Sequence, residues 1–258
     1  MAKTLKQVHC GRLVCAVVYT TQTAGDTPKI RAQKQKASTA ARERLNARTS
    51  FQKLERCLAD NFDNGDLFLT TTYDDKHLPE DRARAVQRVR CFLAKLRKAR
   101  KARGQPLRYI YVTEGCCPGG RIHHHLVLNS TGDDLEELRR LWIWGKNVEA
   151  RRLTFNRDHT YEDLASYLTK EPREWGHPQV GERTWTPSLG LTRSEPETVQ
   201  VPDLLTLTAP PEALVISKEG PVVNGYGEWC WIKYLLPHDP GQPRPKARRR
   251  KRKKDSFS

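Results

Sequence analysis

An α+β fold, with an antiparallel-centred sheet and helices packed mainly on one face, is predicted by three observations. β-branched and aromatic runs bounded by turn residues recur between residues 66 and 155. Segments with apolar residues at helical spacing separate them. The resulting order is strand, helix, strand, strand, helix, strand, helix, which closes one sheet around a central hairpin and leaves its second face free to hold a ligand.

The first strand is Asp66 to Tyr73 (DLFLTTTY), which follows the turn signal Asp63-Asn64-Gly65. Pro79 then opens a helix reaching about Arg103, with Val86, Val89, Leu93 and Leu96 on one stripe and Arg and Lys on the other face. Arg108 to Glu114 and Arg121 to Asn129 are strands joined by Gly-Cys-Cys-Pro-Gly-Gly, the punctuation of a hairpin. A helix over Asp133 to Trp144, a strand over Val148 to Phe155 and a helix over Tyr161 to Glu171, ended by Pro172, complete the set.

On either side the chain reads differently. Residues 1–60 form a basic N-terminal segment in which Lys29 to Arg56 carries nine Lys or Arg against two Glu. Leu45, Phe51, Leu54 and Leu58 let the end of that stretch dock on a core as a helix. Residues 61–175 make the central domain, and 176–240 a Pro- and Gly-rich extension with strand-like runs at Ala213 to Ser217 and Glu228 to Leu236. In the tail, residues 241–258, nine of the eleven positions from Arg244 to Lys254 are Lys or Arg, which repel one another and stay disordered.

Composition narrows the partner. A formal net charge of +16 calls for a polyanion, and nucleic acid comes first. No stretch approaches the roughly 18 apolar residues of a membrane span, and the apolar run Leu13 to Tyr19 lacks a signal-type cleavage site, so a soluble cytoplasmic protein is expected. Seven cysteines form no C-x-x-C pair, which points to neither a zinc ribbon nor a redox motif. Cys10, Cys15, Cys57, Cys91 and Cys230 read as small packing residues. No phosphate-binding loop of the G-x-x-x-x-G-K-[ST] type is present, so no nucleotide-driven motor is encoded.

The chemistry concentrates at residues 114–125 and 160–170. Alternate side chains of a strand share a face, so His123 and His125 point together, while His124 points with Ile122, Leu126 and Leu128. Whether Glu114 joins the two histidines depends on hairpin register: opposed residues whose numbers sum to an odd value, such as Glu114 against His123, bring all three to one face. Two imidazoles and a carboxylate suit a catalytic divalent ion with open positions. Ordinary half-buried histidines are the plainer alternative, and a zinc site of Cys116, Cys117, His123 and His125 is a third, although vicinal cysteines chelate one ion poorly. Further along, Thr160 and Asp163 form a capping box, and Tyr161, Leu164, Ala165 and Leu168 make an apolar stripe. Tyr167 stands roughly 100° from the centre of that stripe, with Asp163 a turn before it and Lys170 a turn after, on the flank of the helix.

Taken in order, these parts resemble the HUH endonucleases, specifically the rolling-circle replication initiators of phages and plasmids, in the branch similar to filamentous-phage replication proteins. Residues 66–73 look like that family's first motif, Glu114 with Gly120-Arg-Ile-His-His-His-Leu-Val-Leu128 like its second, and Ala165-Ser-Tyr-Leu-Thr-Lys170 like its third. Weaker similarity extends through Arg183-Thr-Trp-Thr-Pro-Ser188 and Gly225-Tyr-Gly-Glu-Trp229 to Tyr234. Two departures stand out: the middle residue of the histidine triplet is usually apolar, and only one tyrosine occupies the helix motif.

The resemblance implies an HUH/RRM-like domain over residues 61–175. Glu114, His123 and His125 would bind Mg2+ or Mn2+, with Tyr167 as nucleophile and Lys170 beside it. It further implies nicking of single-stranded origin DNA to a 5′-phosphotyrosine and a free 3′-hydroxyl, with strand rejoining by reversal and a host helicase and polymerase as partners. A single-tyrosine transposase is the nearest rival, though such chains are usually shorter, and a relaxase carries its tyrosine ahead of the histidines. A noncatalytic DNA-binding protein explains the charge but not the conjunction of Glu114, His123, His125, Tyr167 and Lys170.

Overall fold

The computed structural model describes residues 3–20, 39–116, 119–132, 134–170, 184–203, 206–224 and 227–238. Readings that fall on residues 29–38, on Cys117 and on the basic tail lie outside these. The described elements are β1 (Lys3–Cys10), β2 (Leu13–Tyr19), α1 (Thr39–Asn61), β3 (Leu67–Thr72), a 3-10 turn (Asp75–His77), α2 (Arg82–Ala102), β4 (Tyr109–Glu114), β5 (His123–Leu128), α3 (Leu135–Leu141), β6 (Val148–Arg152), α4 (Tyr161–Leu168), β7 (Thr186–Pro187), β8 (Glu197–Val201), β9 (Leu214–Asn224) and β10 (Gly227–Leu235). The class is α+β, with two antiparallel five-stranded sheets.

The central sheet runs β6-β3-β5-β4-β7 and contains the predicted hairpin. One of its faces presents Leu67, Leu69, Tyr111, Leu126 and Leu128 to Val89, Phe92, Leu93 and Leu96 of α2 and to Leu138 of α3. Asp81 caps α2 by accepting from the Arg84 amide, so the helix starts three residues after Pro79, where a side chain satisfies an orphan N–H. Arg100 is wholly buried under this layer, where it pairs with Asp134 at 2.9 Å and donates to the Asn129 carbonyl. Each partner is the other's compensation for burial.

The opposite face is not bare along its length. Phe68, Ile110, Val112 and Val127 pack against Leu54, Leu58 and Phe62 of α1 and its exit, and against Leu164, Ala165 and Leu168 of α4. Burying each of these leucines contributes about 2 kcal/mol. α1 docks late, as its apolar spacing predicts, since Leu45 stays 63% exposed while Leu54 and Leu58 are fully buried. What remains uncovered of this face is the end where β4 finishes and β5 begins.

The second sheet was not legible in the N-terminal sequence. Its order is β8-β1-β2-β10-β9, so the apolar run at residues 13–19 is a central strand, joined on one side to the strand-like runs of the C-terminal extension. Val14, Ala16, Val18, Ile232 and Tyr234 fill one face beneath Leu207. The other face, through Val8, Cys10, Leu13 and Leu235, shares the core of α1. Cys91 is exposed, which corrects its reading as a packing residue, whereas Cys10 and Cys57 are buried as expected. No helix among the described residues is long and apolar enough to cross a membrane.

Candidate active site

Hairpin register decides which side chains meet. β4 and β5 pair with Glu114 opposite His123 and Val112 opposite His125, the odd-sum register, so all three candidate ligands share the incompletely covered face. Gly115 makes this closure feasible: it has φ +77, and a Cβ there would collide with the Arg121 carbonyl. That same carbonyl lies 2.9 Å from Nδ1 of His123. A carbonyl only accepts, so Nδ1 of His123 carries the proton and Nε2 presents its lone pair. On the neighbouring strand, Thr70 stands opposite His125 and holds its Nδ1 at 3.1 Å.

The outcome is a convergence of donors. Nε2 of His123 is 3.2 Å from Nε2 of His125. Oε2 of Glu114 lies 3.5 Å from the latter and 3.7 Å from the former. Donors bound about 2.1 Å from one ion and about 100° apart would stand about 3.2 Å from each other, so the spacing suits a shared ion. Glu114 is also 1% exposed, and its Oε1 is buried without a hydrogen-bond partner. A buried carboxylate with an unspent oxygen is costly unless a cation attends it. The group Glu114, His123 and His125 could therefore bind a divalent metal ion, and Cys116 is not part of it.

His124 belongs to the opposite face, as strand alternation requires. Its ring is fully buried, with Nε2 2.6 Å from the Tyr73 hydroxyl and Nδ1 3.0 Å from Thr113 Oγ1. Burial, followed by the neighbouring His123 and His125, pushes its pKa down to about 3, so it is a neutral core residue. The polar triplet position is thus satisfied locally by a tyrosine and a threonine.

α4 brings the remaining candidates. Thr160 and Asp163 form the predicted capping box, with Asp163 receiving the Thr160 amide and hydroxyl, which fixes Asp163 as a cap. Tyr161 is buried, stacks on Phe155 and donates to the Phe62 carbonyl at 2.9 Å. Tyr167 instead is 38% exposed, its hydroxyl 3.4 Å from Nε2 of His125 and its ring edge-on to His125 and Phe68. Lys170 reaches the same place: its Nζ sits 4.1 Å from the Tyr167 ring centroid and 3.7 Å from Oε2 of Glu114.

All five sequence-predicted site residues are therefore brought together. Sequence reasoning missed three supports. Thr70 orients His125 from within the first motif, where period-two alternation relative to β5 could have pointed to it. Arg121 acts through its backbone and carries no sequence signal. Lys233 of β10 pairs at 2.9 Å with both Glu55 of α1 and Glu162 of α4, bracing the tyrosine helix from the second sheet. Burial pushes the Glu55 carboxyl up against the pull of Lys233.

Residues 66–172, from the start of β3 to just beyond α4, match a family model described as that of the replication-associated protein ORF2. No curated protein and no solved structure matches the chain. The matched span contains every residue of the cluster, and the match supports a replication protein of the Rep type, working on DNA.

Proposed function

We propose that this protein is a replication initiator that nicks single-stranded origin DNA, with Tyr167 as nucleophile. The single observation carrying the reading is that the Tyr167 hydroxyl approaches His125 at 3.4 Å, at the rim of the Glu114, His123 and His125 cluster. A noncatalytic DNA-binding surface has no need of that meeting.

In the proposed reaction the Tyr167 oxygen attacks phosphorus in line and forms the phosphotyrosine bond as the bond from phosphorus to the 3′ oxygen breaks. The phenol proton is released to solvent, and the departing oxygen gains one to become a 3′-hydroxyl. A phenol of pKa about 10 is almost wholly protonated at neutral pH, so the ammonium of Lys170 over the ring has a function in favouring the phenolate. Glu114, His123 and His125 would hold Mg2+ or Mn2+, which when bound offsets the charge gathering on the nonbridging oxygens. Reversal of the same displacement rejoins the strand.

The test is incubation of the chain with end-labelled single strands and Mn2+ or Mg2+, followed by denaturing electrophoresis. A protein-linked label that Tyr167→Phe eliminates is expected. Label transfer surviving that substitution, or no transfer with any strand and either ion, counts against the proposal and favours a binding protein. A single-tyrosine transposase would also form the adduct, but would act on element ends and not on a replication origin.

A further inference from the structure

We infer that Arg151 grips the substrate strand by a phosphate next to the one attacked, an inference that rests on the nuclease reading above. β3 and β6 pair with Phe68 opposite Arg151, which places this arginine on the same face as His125. Its guanidinium lies 4.6 Å from the Phe68 ring centroid. Phe68 in turn stacks on His125 at 5.3 Å and meets Tyr167 edge-on at 5.8 Å. The distances through Phe68, 4.6 and 5.8 Å, place the guanidinium within about 10 Å of the Tyr167 ring. That is a span of about one or two nucleotides of an extended strand.

The adjacent arginine shows what a structural role looks like here. Arg152, on the other face, spends its guanidinium on the Gly65 carbonyl, Ser130 Oγ and the Gly132 carbonyl. Arg151 is exposed, and no hydrogen bond or ion pair joins it to any described residue, Glu149 two positions earlier on its face included. A guanidinium laid on an aromatic ring keeps its N–H edge outward, the geometry in which arginine takes a phosphate bidentately. Lys170 lies on the other flank of Tyr167, so cations bracket the tyrosine and a strand crossing the site would meet one on each side.

The experiment measures binding of a fluorescein-labelled oligothymidylate of about twenty nucleotides to the full chain by anisotropy, over a range of salt. Arg151→Gln is expected to weaken binding about tenfold. It should also lower the slope of log affinity against log salt by about 0.7, one phosphate contact on a single strand. Arg151→Lys, which keeps the charge, is expected to recover part of the affinity. Unchanged affinity and slope in a folded Arg151→Gln protein overturn the inference. Where adduct formation is measured, Arg151→Gln should raise the DNA concentration giving half-maximal rate and leave the saturated rate within about threefold. A loss confined to the saturated rate would overturn it too. If wild type forms no adduct but Arg151→Gln still loses binding, the nuclease reading fails and the phosphate grip stands.

Discussion

The Tyr167 hydroxyl lies 3.4 Å from Nε2 of His125, although the two residues come from a helix and a strand 42 positions apart. Six residues earlier on the same helix, Tyr161 turns the other way and donates into the core at Phe62. Helical phase alone separates these two phenols, and they make a matched pair for mutation.

Tyr167→Phe removes one oxygen from an exposed position and should lower adduct formation about a thousandfold or more while leaving thermal stability and DNA affinity nearly unchanged. Tyr161→Phe should retain the adduct and lose about 1 kcal/mol, the hydrogen bond to Phe62. Parallel adduct gels and thermal melts check both. Retention by the first variant and loss by the second would mean the nucleophile is misassigned.

Metal uptake should depend on the oriented donors. Glu114→Ala is expected to abolish stoichiometric Mn2+ binding in calorimetric titration. Thr70→Val, which removes the partner of Nδ1 of His125, should weaken it about 10- to 100-fold without touching a ligand. Equal affinity in Thr70→Val and wild type would show that packing against Phe68 is enough to orient the ring.

Acid stability should trace in part to the buried Arg100–Asp134 pair. Burial alone would raise the Asp134 carboxyl, but hydrogen bonds from Thr131 and Ser130 and the Arg100 charge outweigh it and hold the carboxyl below its ordinary value. A depressed folded pKa contributes stability that is present above about pH 4 and is lost as the pH falls through the folded value. Asp134→Asn should therefore cost about 3 kcal/mol at neutral pH, since it strands Arg100, and flatten the loss of stability below pH about 4. Urea melts across this range measure it.

Removing residues 244–254 should weaken single-strand binding broadly and flatten its salt dependence, because nine positive side chains leave with them. Cleavage at saturating DNA should persist. Loss of cleavage at saturation would assign the tail to the active site.

Sequence by itself determined the local elements and the identity of the chemistry-bearing residues. Alternation in a strand sets His123 and His125 together and His124 apart whatever surrounds them, and the Thr160–Asp163 box with its apolar stripe sets the phase of Tyr167. Each follows from backbone geometry over a few residues. Tertiary structure decided what depends on pairing over distance. The register that puts Glu114 opposite His123 was one of two allowed parities. The joining of β1 and β2 to β10 links residues more than 200 apart, between which no periodicity runs. The brace of Lys233 on Glu162 and the open guanidinium of Arg151 over Phe68 likewise exist only once separate strands and helices have met, because a side chain's partners are set by packing and not by its neighbours in the chain.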